Sequence, residues 1–87
     1  MRIDKYLKIA RILKRRPVAK ELAENDRLLV NSKIAKAATE VEVGDIIEIR
    51  FGHRTITIKV LDIKEQASKQ DALSMYEVLS EDKSEMV

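Results

Sequence analysis

Pro17, the only proline of the chain, separates two stretches whose apolar residues recur at helical spacing, and it keeps them from fusing into one rod. On its N-terminal side Ile3, Leu7, Ala10 and Leu13 repeat with the helical period over residues 3–13, with Tyr6 alongside. Proline biases the preceding Arg16 toward extended backbone and suits the first position of a new helix. The pattern therefore predicts a first helix over 3–13 and a second from Pro17 to Glu24, with Val18, Leu22 and Ala23 facing inward. Asp4 places a negative charge near the positive end of the first helix, where it is stabilised.

These two helices carry a concentrated positive charge. Residues 1–20 hold Arg2, Lys5, Lys8, Arg11, Lys14, Arg15, Arg16 and Lys20 against the single acid Asp4, a net of +7, whereas the other 67 residues net −5. A block of one sign inside a folded segment favours a polyanion as partner, with membrane surfaces and acidic proteins as the other classes that basic helices serve. Within the first helix Lys8, Arg11 and Arg15 fall at i, i+3 and i+7 and line one face, with Lys14 beside it. The start of the second helix presents unpaired N–H groups next to Arg15 and Arg16, a natural seat for phosphate.

Beyond residue 24 the period changes. Asn25-Asp26 signals a turn, Leu28-Leu29-Val30 a short strand, and Asn31-Ser32-Lys33 a second turn. Val43-Gly44-Asp45, a turn that Asp45 is expected to stabilise, leads into a strand over Ile46–Phe51. Gly52-His53-Arg54 then reads as a hairpin connection. Ile56, Ile58 and Val60 alternate with Thr57 and Lys59, the period-two signature of a half-buried strand. Residues 64–72 read as a loop or short helix, Met75–Leu79 as a last strand, and Glu81–Val87 as an acidic tail expected to fray.

Several function classes drop out. A chain of 87 residues builds one modest core rather than a cleft between domains. No cysteine is present, which removes disulfides and thiolate metal sites and favours a reducing, cytoplasmic setting. The N-terminus is charged and no long apolar run follows, against a signal peptide or membrane span. Tyr6, Phe51 and Tyr76 are too few aromatics for a platform that stacks single-stranded bases, and Tyr6 reads as a core-edge residue. His53 is the only histidine and has no companion nucleophile or ligand. Gly44 and Gly52 are turn glycines rather than a phosphate loop. No cofactor, metal or catalytic group is expected.

Arg2-Ile3-Asp4-Lys5-Tyr6-Leu7, Lys14-Arg15-Arg16-Pro17-Val18-Ala19-Lys20, Leu29-Val30-Asn31, Ala35-Lys36 and Val43-Gly44-Asp45-Ile46 occur in an order that resembles the S-four-type RNA-binding domain, over about residues 2–51. Within it the whole chain is similar to the RqcP group, short stand-alone members of bacterial ribosome-associated quality control, and to the fifteen-kilodalton heat-shock RNA-binding protein. The resemblance implies a non-enzymatic factor on the large ribosomal subunit obstructed by an unreleased nascent chain. There it would contact large-subunit rRNA and peptidyl-tRNA and work with an RqcH-type tailing factor during template-free alanine tailing. Asp26 and Ser32 stand where the family usually has glycine, so both are expected at positive φ.

The combined reading is an α+β fold, with two N-terminal helices packed on a small, mostly antiparallel, curved sheet of four or five strands. It is a monomeric, single RNA-binding domain over residues 1–80 with a tail at 81–87. Ile3, Leu7, Leu13, Val18 and Leu22 are expected to bury against Leu28, Val30, Ile47, Ile49, Ile58 and Val60. The candidate RNA contacts are Arg2, Lys8, Arg11, Lys14, Arg15, Arg16, Lys20 and Lys36, with Lys33 behind them. Asp4 is expected to cap the first helix or to hold an arginine. The alternative is a helix-turn-helix DNA-binding regulator reading duplex through the second helix.

Overall fold

The computed structural model describes residues 1–83. Its elements run α1 (Ile3–Ile9), α2 (Arg16–Glu24), β1 (Leu28–Val30), β2 (Lys33–Ile34), β3 (Ile46–Phe51), β4 (Arg54–Val60), α3 (Lys69–Leu73) and β5 (Tyr76–Lys83). The strands form one sheet in the order β2-β1-β3-β4-β5, with every neighbouring pair antiparallel. The architecture is α+β, as expected. No helix among the described residues is long and apolar enough to cross a membrane.

Alternation along the strands separates the two faces of the sheet. Ile47 opposes Ile58 and Ile49 opposes both Leu28 and Ile56, so these side chains share the face covered by the helices. Glu48 opposite Thr57 and Arg50 opposite Thr55 occupy the other face. The register shifts between Thr57 and Ile58, a bulge that bends β4 and β5 together. Ile3, Tyr6, Leu7 and Leu13 complete the core from the helical side, joined by Val41 and Met75. Tyr6 is wholly buried rather than at the core edge, and its hydroxyl donates to the Met75 carbonyl at 2.7 Å. Burial pushes the Tyr6 phenol well above its ordinary pKa, with the charges of Tyr76 and Asp62 adding to the effect.

The first helix is shorter than its apolar pattern. It stops at Ile9, and Arg11 takes φ +60. The Ile12 N–H donates to the Leu7 carbonyl and the Arg11 N–H to the Lys8 carbonyl, which is the Schellman arrangement that ends a helix through a left-handed residue. Leu13 reaches the core from the loop after this turn. The helical stripe of Lys8, Arg11 and Arg15 is therefore not one helix face. The second helix begins at Arg16 rather than Pro17, and Arg15 is the extended residue before it. Proline at the second helical position still removes only an N–H that the first turn leaves unpaired.

Inside α2 the buried residues are Ala19 and Ala23, while Val18 is exposed. Ala23 faces inward as expected, while Ala19 takes the place expected of Val18 where α2 packs against α1. Leu22 and Val30 are only partly buried against the core. Lys33 belongs to β2, so the connection after β1 is the two-residue turn Asn31-Ser32. Ser32 and Asp26 have φ +69 and +58, the positive values expected, and Asn31 joins them at +51. Asp45 accepts from the Glu42 N–H and from Asn31 Nδ2, tying its turn to that hairpin. The acidic segment expected to fray from Glu81 starts inside β5, which continues to Lys83 through pairing with β4. Residues 84–87 lie outside the described residues.

Candidate nucleic-acid interface

Asp4 lies at the second position of α1 with only 5% of its surface exposed. Its Oδ1 accepts the Lys5 N–H at 2.7 Å, and its Oδ2 accepts from Arg2 Nη2 at 3.0 Å and Arg16 Nη2 at 3.1 Å. Burial alone raises the Asp4 carboxyl. The Arg16 hydrogen bond, the Lys5 N–H and the charges of Arg16 and Arg2 outweigh it and hold the pKa below the ordinary carboxylate value. Asp4 thus does not cap α1 from the N-cap position. It fixes two arginines from separate elements beside one another, each with about half of its side chain open to solvent.

A cleft of about 550 Å³ opens next to this cluster. Lys5, Lys8, Arg11, Lys14 and Arg16 line it, with Glu65, Gln66 and Ala67 from the β4–α3 connection as the facing wall. The left-handed turn at Arg11 lets α1 and the 12–15 loop contribute cations to a concavity rather than to a convex helix surface. Lys8, Arg11 and Lys14 form no ion pair with the described residues, whereas Arg50 and Arg54 are paired with Glu48 and Glu81. The positive end of α2 has no acid in its first turn, so nothing from the helix itself offsets it beside Arg15 and Arg16.

The candidate residues divide accordingly. Lys8, Arg11, Lys14 and Arg16 meet at the cleft, and Arg2 joins them through Asp4. Arg15 and Lys20 are exposed on α2 and its N-cap, outside the cleft lining. Lys36 is exposed in the loop after β2, whose Ala37 and Thr39 carbonyls accept from the Asp4 and Ile3 N–H groups, so it lies near the start of α1. Lys5 was not among the candidates. Its partner Glu65 is distant in the sequence, and no local pattern announces the pair.

The chain matches the S4 domain family over residues 1–47. It is 52% identical to the RQC P-site tRNA stabilizing factor of Streptococcus pneumoniae over 93% of this chain and 92% of that protein. The protein of the same name in Bacillus subtilis is 42% identical over 95% of this chain and 96% of its own length. The fold superposes on the trimeric structure of Vibrio cholerae Heat Shock Protein 15 with a TM-score of 0.82, at 32% identity, covering 92% of this chain and 82% of that one. An S4 match over α1, α2 and the first strands, together with near full-length similarity to short bacterial proteins of one name, places this chain in the S4 domain family, among the RQC P-site tRNA stabilizing factors.

Proposed function

We propose that this protein is a non-enzymatic RNA-binding factor acting on the obstructed large ribosomal subunit in bacterial ribosome-associated quality control. In this reading the cations of residues 2–20, with Lys36 at their margin, contact large-subunit rRNA and P-site peptidyl-tRNA. The factor lowers tRNA dissociation while an RqcH-type factor directs template-free alanine tailing, and it acts as a monomer. The observation that carries the reading is the cleft lined by Lys5, Lys8, Arg11, Lys14 and Arg16 beside the Asp4-held arginine pair. Its concave shape and preset guanidinium groups suit the backbone of a folded RNA, which is recognised by shape and phosphate contacts more than by base edges.

The relatives' name, with its reference to P-site tRNA, supports the same partner class. The duplex-DNA alternative fits less well, because α2 exposes Glu21 and Glu24 along with Lys20, and acids on a recognition helix repel the groove phosphates. Co-sedimentation with large subunits carrying peptidyl-tRNA tests the proposal. Wild-type protein is expected in the ribosomal pellet and Arg2→Glu and Arg16→Glu variants in the supernatant. Equal sedimentation of all three would sink it, and a gel shift favouring duplex DNA over structured RNA would move the reading to the alternative.

A further inference from the structure

The cleft contains one contact that works against its evident purpose. Among the described residues that line it, Glu65 is the sole acid, and its carboxylate accepts a hydrogen bond from Lys5 Nζ. Glu65 belongs to the connection between β4 and α3, where Ile63 and Ala67 pack against the core on either side of it. The backbone of this connection is thus held in place, and Glu65 projects from a pinned strap toward a bed of positive charge.

Its situation differs from that of Asp4. Asp4 is buried and holds two arginines and a backbone N–H at once, which makes it a permanent part of the surface. The Glu65 side chain is 78% exposed and that of Lys5 41% exposed, and Glu65 has a single partner. Ion pairs this open to water hold weakly and exchange readily for another anion. The ammonium of Lys5 keeps the Glu65 carboxyl ionised below the usual carboxylate range, so it remains an anion under working conditions.

We propose that Lys5 is a phosphate-contacting residue of the RNA site and that Glu65 occupies its place in the free protein, leaving when a phosphodiester of folded RNA enters the cleft. This rests on the RNA-binding reading above and adds to it a residue that sequence reasoning passed over and an internal competitor. A resident carboxylate lowers the pull of the cleft on any passing polyanion. It yields only to an RNA shaped to deliver a phosphate to Lys5 while satisfying Lys8, Arg11 and Lys14 nearby. Glu65 in this role sets selectivity as much as affinity.

A double-mutant cycle tests the proposal, reading the dissociation constants of wild type, Glu65→Gln, Lys5→Gln and the double variant for purified large subunits carrying peptidyl-tRNA at one salt concentration. Glu65→Gln is expected to tighten binding about two- to fivefold, the equilibrium worth of an exposed pair. The same change made on Lys5→Gln is expected to do nothing. Equal tightening in both backgrounds would make Glu65 a distant charge and overturn the proposal, as would no change in either. Each variant lacking the pair should melt slightly below wild type, because the contact that opposes binding also stabilises the free folded protein; a lower melting temperature for Glu65→Gln without coupling in binding would make the pair a structural fastening instead. Arg16→Ala, run alongside, separates the levels of inference. If it weakens binding while the cycle shows no coupling, only this proposal falls; if it too binds as wild type, the RNA face itself is misplaced.

Discussion

Arg2 and Arg16 donate to the same carboxylate oxygen of Asp4, at 3.0 and 3.1 Å, so the entry to the first helix and the start of the second are fastened through one buried anion. The arrangement reverses the usual effect of an acid on a polyanion-binding surface. Removing an acid normally strengthens such binding. Asp4→Asn is expected to weaken RNA binding although it raises the net charge by one, because the two guanidinium groups lose their common anchor. It is also expected to lower stability by about 1–2 kcal/mol in urea titrations, the low part of the range for charged hydrogen bonds, since both arginines are half exposed and rehydrate. Tighter binding by Asp4→Asn would refute the anchoring role.

The same carboxylate makes stability depend on pH in a defined window. Its folded pKa lies below the unfolded one, so its contribution is complete above the unfolded value of about 3.9 and is lost as pH falls through the folded value. The stability gap between wild type and Asp4→Asn is expected to stay level above about pH 5 and to narrow below about pH 4. A gap that narrows with rising pH would have the wrong sign for this assignment.

Arg11 occupies a backbone conformation that favours glycine, and left-handed geometry costs an ordinary residue roughly 1–2 kcal/mol. Its charge at the C-terminus of α1 returns part of that, about 0.3–1 kcal/mol. Arg11→Gly is therefore expected to stabilise the protein by about 1 kcal/mol, seen as a higher urea midpoint, while weakening RNA binding through loss of a cleft cation. A less stable glycine variant would contradict the backbone assignment.

Tyr6→Phe removes the hydroxyl bound to the Met75 carbonyl, but that carbonyl still accepts from the Leu61 and Asp62 N–H groups. The expected cost is accordingly about 1 kcal/mol, rather than the larger loss that follows when a buried group is left with no partner. RNA binding should be unchanged. A loss above about 3 kcal/mol in thermal or urea unfolding would show that the phenol does more than this one bond.

Much of this fold was legible because the relevant signals are local. Ile56, Ile58 and Val60 announce β4 by their period, and Pro17 announces the break between helices even though α2 starts one residue before it. Asn31-Ser32 and Asp26 carry residues whose side chains tolerate positive φ or stand where glycine is usual, and all three have it. Arg11 gives no such sign. Its side chain carries no left-handed preference, and the apolar spacing continues to Leu13 because that residue reaches the same core by another route. The choice of Ala19 over Val18 as the buried residue depends on how closely α1 and α2 approach, a distance that one helix's own pattern does not encode. Of the candidate site, the charges were visible in sequence but their gathering was not. The cleft exists because the Arg11 turn folds the 12–15 loop back and because the Glu65 strap closes the opposite side.

The bond from Tyr6 to Met75 joins the first helix to the entrance of the last strand, and it makes the basic segment non-portable. A peptide of residues 1–24 would retain the cations and both helix sequences. It would lose the strands that bury Ile3, Tyr6 and Leu7, and α1 alone is far too short to hold its shape in water. Grafting the charged stretch onto another protein would transfer its attraction for polyanions without the geometry that organises it. The unit that moves between proteins has to be the whole domain.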